Sequence, residues 1–170
     1  MTFLLINKGG NETIIIKKSE TADTRTCDFS QVSKEQLLSS SVQHISDVAK
    51  GITFFLIMLQ GAASEHDRDK ITAIDQFHKD FITGFKETPW WDLHRTLTRH
   101  HLTEKDGVPL DVNLIDVLEM IVDYVMAGMG RSGKVIPLTI ELDLLKVAFD
   151  NTWKLLESNI LVDAQKAVSK

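Results

Sequence analysis

The chain has 170 residues, enough for one domain with its own core. Hydrophobic residues make up 43% and charged residues 25%, and the net charge is −5 with a pI of about 5.6. A polyanion is repelled on average by that balance, so stable binding of a nucleic-acid polymer is not expected. The single cysteine, Cys27, excludes an internal disulfide and a thiolate zinc site. The sequence reads as having no signal peptide and no long apolar run, so the expected location is cytoplasmic and no membrane partner is expected.

Two short apolar runs, Phe3–Ile6 and Thr13–Lys17, flank the turn chemistry of Lys8-Gly9-Gly10-Asn11. They predict a β-hairpin over residues 1–18, which must lean on the rest of the chain because two strands alone are marginal. Residues 19–32 are polar and read as a loop. Ser33 with Gln36 three residues on is a capping box. It opens a long helix with Leu37, Ile45, Val48, Ile52, Leu56 and Leu59 as its apolar stripe, and Gly61 is expected to break it. A short helical piece over Ala62–Asp67 should follow. The next helix, about Lys70–Phe85, is expected to bury Ile71, Ile74, Phe77, Phe81 and Phe85. Thr88-Pro89 is a start signal for a helix carrying Trp90, Trp91, Leu93, His94 and Leu97 and ending near His100. Thr103–Leu110, with Asp106-Gly107 and Pro109, is a loop. Asn113 and Asp116 cap a helix running to about Gly128, and Met129–Pro137 is a glycine-rich connection. The last helix covers roughly Ile140–Ile160 with Leu142, Leu145, Phe149, Trp153 and Leu156 inward, and the tail after Asp163 frays. The helical body thus occupies 33–162. Gly128, Gly133 and Lys134 fit most of a P-loop pattern. Val135 stands where a magnesium-binding hydroxyl is needed, the segment follows a helix, and Pro137 lies where the P-loop helix should run, so the match is rejected.

Five of the six histidines fall in an ordered series with carboxylates: His44, His66-Asp67, His94, His100-His101 and Asp123. Singly, each is ordinary. A lone His44 is more often a core or surface residue, His66-Asp67 a solvated loop, and His100-His101 a polar helix end. Asp116, Glu119 and Asp123 share one helical stripe that reads equally well as a solvated face. Jointly they read as a divalent-metal site assembled from several helices. Asp123 sits among Ile121, Val122, Val125 and Met126, where a carboxylate needs a partner or a cation. His94 and His101 are two helical turns apart on one face. His78 lies outside the series and is assigned to the surface. Imidazoles and carboxylates without thiolate suit Mn, Fe, Co, Ni or Zn.

The order His…His-Asp…Asp resembles the HD superfamily of metal-dependent phosphohydrolases. His66-Asp67-Arg68-Asp69-Lys70 is similar to the His-Asp-x-Gly-Lys run of the HD-GYP branch, with Asp69 in place of the glycine. His100-His101, Asp106-Gly107 and Pro109 resemble that branch's His-His-Glu…Asp-Gly-x-Gly-Tyr-Pro stretch. The Glu and the Gly-Tyr pair are missing, so cyclic-dinucleotide specificity is not carried over. The span from about Asp23 to Ile160 resembles an uncharacterised family of small HD-like phage and bacterial proteins. That likeness rests on the HD-x-x-K core, the His-His pair, Leu118 to Asp123, and Asn151-Thr152.

The resemblance implies a mainly α, HD-domain-like helical bundle with a small N-terminal β-hairpin. It implies His44, His66, Asp67 and Asp123 as metal ligands. His94 with one or both of His100 and His101 would be extra ligands where two ions are held, with Asp67 bridging. Lys70 matches a lysine suited to a substrate phosphate, so Asp67 and Lys70 are the expected catalytic pair, and Arg95, Arg99, Arg131 or Lys134 are candidates for further phosphate contacts. The expected function is metal-dependent hydrolysis of a nucleotide or other small phosphoester with one or two divalent transition ions. The alternative is a non-enzymatic protein that binds a host protein or a nucleotide and keeps the metal for structure. A homodimer is left open.

Overall fold

A computed structural model of the chain describes residues 5–6, 12–17, 29–103, 107–135 and 137–163. The described residues are mainly helical: α1 (Lys34–Glu65), α2 (Asp69–Thr72), α3 (Ile74–Phe81), α4 (Trp90–Leu97), α5 (Leu114–Ser132) and α6 (Leu142–Ser158), with strands β1 (Leu5–Ile6), β2 (Glu12–Lys17) and β3 (Ile160–Asp163). They gather into two compact units, one of 1–56 with 155–170 and one of 57–154.

In the first unit, β1 and β2 pair antiparallel with Leu5 opposite Thr13, which is the expected hairpin; its turn lies outside the described residues, as do most of the 19–32 loop and the tail after Asp163. A third strand, which the sequence reading missed, corrects the end of the last helix. α6 stops at Ser158, and β3 runs parallel to β2 from Ile14–Ile160 to Lys17–Asp163. Asn159 makes the corner, its amide donating to the Leu155 carbonyl at 2.8 Å while its own carbonyl accepts Ile14 N–H at 2.8 Å. Ile160-Leu161-Val162 suits a strand as well as a helix end, and a partner far back in the chain decides between them.

α1 begins at the expected capping box: Ser33 N–H donates to Gln36 Oε1 at 2.9 Å, and Gln36 N–H to Ser33 Oγ at 3.2 Å. Gly61 does not break it. A helical glycine costs only about 1 kcal/mol, and good helix formers surround this one. One face is tied to the sheet, with Gln43 donating to the Lys17 carbonyl (2.8 Å) and Lys50 to the Ile15 carbonyl (2.9 Å). Ser40 and Phe54 are buried, whereas the stripe expected to be inward, Leu37, Ile45, Val48, Ile52 and Leu56, is exposed. The segment Lys34–Thr72 also holds a stretch, of mean hydropathy 1.3, long and apolar enough by length and composition to cross a membrane, which corrects the expectation of no long apolar run.

The core of the second unit is Leu102, Val112, Val117, Met120 and Ala148, with Val108, Tyr124, Leu138 and Leu144 packed against it. α5 starts at the expected box, Asn113 Oδ1 accepting Ile115 N–H and Asp116 Oδ2 accepting Asn113 N–H, both at 2.9 Å. It ends at Ser132, four residues later than expected, and is capped by Gly133, whose φ of 68° is the left-handed conformation glycine favours. This places the rejected P-loop glycines at a helix end. α6 turns only part of the expected face inward, with Leu145 packed against the core. Leu142, Phe149 and Trp153 are exposed, and Ala148, Asn151 and Thr152 face α5. Asn151 donates to the Val112 carbonyl (2.9 Å), and Thr152 Oγ1 accepts Leu114 N–H (2.8 Å), so these two residues seat the start of α5. The predicted Lys70–Phe85 helix is two pieces divided at Ala73, and its Ile71, Ile74, Phe81 and Phe85 are exposed. Thr88 does not cap α4. Asp80, fully buried, accepts the N–H groups of Thr88 and Trp91, each at 3.1 Å. Burial opposes the charge of Asp80, but these donors outweigh it and hold the carboxyl below its ordinary range.

Candidate metal centre

Asp67 is the pivot of the second unit. It follows the end of α1 with φ 52°, a left-handed conformation uncommon for a residue other than glycine. That turn points Asp67 between ring nitrogens delivered by its own turn and by two other segments. His66 comes from the same turn, His94 from α4, and His100 and His101 from the segment after α4. Two sets of ligand atoms converge there: His66, Asp67 and His100, and Asp67, His94 and His101. Asp67 belongs to both.

The tautomers follow from the carboxylates around the rings. His94 Nδ1 lies 2.8 Å from Asp69 Oδ2, and a carboxylate can only accept, so Nδ1 carries the hydrogen. Its Nε2 is then a bare lone pair, 3.4 Å from Asp67 Oδ1 and 3.0 Å from His101 Nε2. His66 Nδ1 likewise donates to Glu119 Oε1 at 2.9 Å, and its Nε2 faces Asp67 Oδ2 at 3.6 Å and Asp123 Oδ1 at 3.7 Å. His100 Nδ1 is 3.0 Å from Glu119 Oε1, outside hydrogen-bond alignment, and its Nε2 is 3.5 Å from Asp67 Oδ1. Asp67 Oδ1 and both His100 nitrogens are buried without a hydrogen-bond partner. A buried carboxylate oxygen without a donor is costly unless a cation meets it. Ligand atoms about 2.0–2.1 Å from one ion lie about 2.9–3.4 Å apart, close to the spacing seen. The residues present therefore fit a divalent ion.

The electrostatics agree. Burial raises the Asp67 carboxyl, but the Lys70 ammonium, hydrogen-bonded to Oδ2, together with His66 and His100, brings it below its ordinary value. Burial also works against charge on Glu119, and His100 and His66 reverse it. His100 is raised despite burial, because Glu119, Asp67 and Asp123 surround it. Burial and the neighbouring His100 and His94 push His101 down to about 4, so its imidazole is neutral at pH 7, the form that binds a metal. Packing holds the rings: Trp90 stacks on His94 with centroids 5.0 Å apart, and Trp91 meets His101 edge-on at 5.8 Å. Gly107 presses on the same segment. A Cβ there would lie 2.5 Å from the His101 carbonyl, which accounts for the glycine of the Asp106-Gly107 pair; Asp106 lies outside the described residues.

Six of the seven sequence-predicted ligands, His66, Asp67, His94, His100, His101 and Asp123, come together. His44 does not. It is exposed on α1, about six helical turns before His66. His78 is exposed, as expected. Two residues were missed. Glu119 orients His66 and approaches His100, and Asp69 orients His94. Glu119 had a signal, its place one turn before Asp123 on the carboxylate stripe, and Asp69 stood in the HD run itself. Arg99 is a correction: it grips Asp116 through Nε (2.7 Å) and Nη2 (2.8 Å) and Asp111 through Nη1 (2.9 Å), which anchors the segment before His100 to the start of α5. Lys134 is exposed beyond the Gly133 cap.

A cleft of about 460 Å³ opens over Asp67 and Asp123. Lys70, Arg95 and Arg131 line it with Trp91, His101 and Tyr124, so three cations share one opening with Asp67, the residue common to both ligand sets. No family model, no curated protein and no solved structure matches the chain.

Proposed function

We propose that this chain is a metal-dependent phosphohydrolase of the HD-like kind, acting on a nucleotide or another small phosphoester with one or two divalent transition ions. One observation carries the reading. The Nε2 atoms of His94 and His100 converge on a buried Asp67 oxygen that has no hydrogen-bond donor. His66, His100 and Asp123 with Asp67 would hold one ion, and His94, His101 and Asp67 a second. A divalent ion bound there acidifies water and neutralises phosphoryl oxygens. Asp69 and Glu119 fix which ring nitrogen is bare. Lys70 lines the cleft beside Asp67, and with Arg95 and Arg131 it provides the charge that retains a phosphate. Trp91 and Tyr124 offer ring surface for the rest of a small substrate.

The test has two stages. Elemental analysis after reconstitution should find metal in the wild type and lose it in His66→Ala and Asp67→Ala, but not in His78→Ala; less than about a tenth of an ion per chain would count against the reading. Nucleotides and a generic phosphate ester are then screened with Mn, Ni, Co and Mg. Lys70→Ala should keep its metal and lose turnover by about ten- to a hundredfold. A fully metallated protein that hydrolyses nothing, or a Lys70→Ala variant as active as wild type, overturns the mechanism.

A further inference from the structure

Two non-glycine residues among those described adopt a left-handed backbone, Asp67 with φ 52° and Phe85 with φ 62°. Asp67 is the pivot of the metal centre. An aspartate tolerates that region, whereas a bulky aromatic there is an outlier with a conformational cost. Such a residue persists only where its surroundings over-determine it. At Phe85 the constraint comes from Asp80. The Asp80 carbonyl accepts the N–H groups of Phe85 (2.9 Å) and Thr83 (3.2 Å) and the Thr83 hydroxyl (2.7 Å). The Asp80 carboxylate accepts the N–H of Trp91 at 3.1 Å. One buried residue therefore fixes both Phe85 and Trp91.

The strained conformation yields a ring contact more than burial. Phe85 is 38% exposed, and its ring centroid lies 5.1 Å from that of Trp91. Trp91 in turn lies 5.3 Å from His94 and 5.8 Å from His101, and it lines the cleft over Asp67. His101 has the greater need of this contact. A ligating imidazole is ordinarily oriented by a carboxylate or carbonyl on its other nitrogen. His66 and His94 have such partners in Glu119 and Asp69. Among the described residues no carboxylate bonds to His101, whose Nε2 meets His94 Nε2 at 3.0 Å. Aromatic packing is left to orient its ring. We propose that Phe85 is a positioning residue of the metal centre. Its left-handed backbone aims the ring at Trp91, and the ring holds the indole against His101 and His94. The proposal rests on the reading of Asp67, His94 and His101 as a ligand set.

Phe85→Ala and Phe85→Gly separate what the residue combines. Both remove the ring, but only glycine relieves the left-handed backbone. The thermal midpoint of Phe85→Gly should therefore exceed that of Phe85→Ala by about 2–4 °C. Both variants should nevertheless weaken Co(II) binding by about tenfold in competition with a chelator, and Phe85→Tyr should restore it. Trp91 is read without metal. In the fluorotryptophan-labelled chain its fluorine resonance, assigned with Trp91→Phe, should shift or broaden in the alanine and glycine variants and keep its wild-type position in Phe85→Tyr. An unmoved Trp91 resonance overturns the proposal. So does a Co(II) affinity that recovers in Phe85→Gly in step with stability, the mark of a merely structural role. A Phe85→Ala variant as stable as Phe85→Gly overturns it as well, since no strain is then held at the site. A wild-type chain that takes up no Co(II) removes the metal reading instead, and the fluorine resonance still decides whether Phe85 fixes Trp91 against the histidines.

Discussion

The ligand cluster and the free face of α1 are inversions of the same rule. Around Asp67, His94 and His100 are almost wholly buried although both are polar. Along α1, Ile45 and Ile52 are mostly exposed although both are apolar. In the core of the second unit the rule holds, with Met120 and Val112 each 1% exposed. Burial of a polar group and exposure of an apolar stripe each have a free-energy cost, and each exception points to an occupant of matching chemistry. For the cluster the matching chemistry is that of a cation, which the two sets of ligand atoms around Asp67 could hold.

That contrast can be sharpened by substitution. The largest effect should come from a site that obeys the rule. Met120→Ala empties part of the core and should destabilise by about 2–5 kcal/mol in urea unfolding, while Trp153→Ala on the exposed face of α6 stays within about 0.5 kcal/mol. Equal effects would mean that the exposed faces are packed in solution.

A smaller effect is expected at the cluster's supports. Asp69→Asn leaves the size of the side chain unchanged but no longer dictates which nitrogen of His94 is bare. Metal affinity should fall about ten- to a hundredfold with little change in thermal stability. Unaltered affinity by competition with a chelator would remove Asp69 from the site.

The smallest effect, and one confined to acid, concerns Asp80. Its folded carboxyl sits below the ordinary value of 3.8, so the ionised form stabilises the fold. That contribution is present above 3.8 and is lost as pH falls through the lower folded value. Asp80→Asn should therefore be less stable than wild type at neutral pH, with the gap closing in acid. Parallel stability curves from pH 7 to pH 2 would show that the N–H groups of Thr88 and Trp91 do not depend on the charge.

What the sequence determined by itself is local chemistry. Both capping boxes, Ser33 with Gln36 and Asn113 with Asp116, need only four consecutive residues to be recognised, and both formed. The mainly helical class and the short N-terminal hairpin followed from patterning, and the ligand types and their order pointed to six residues that converge. Tertiary structure decided the rest. Whether His44 or Glu119 meets the cluster depends on where α1 ends relative to α5, which no spacing along the chain encodes. Asp69 became a support for His94 only because the left-handed turn at Asp67 carries both carboxylates toward α4. The pairing of β3 with β2 links residues at opposite ends of the chain, and Asn151 and Thr152, reaching the start of α5, seat α6 together with Leu144 and Leu145, while Leu142, Phe149 and Trp153 stay exposed. Hydrophobic periodicity names a helix and its apolar face; it does not say whether that face meets its own chain or another.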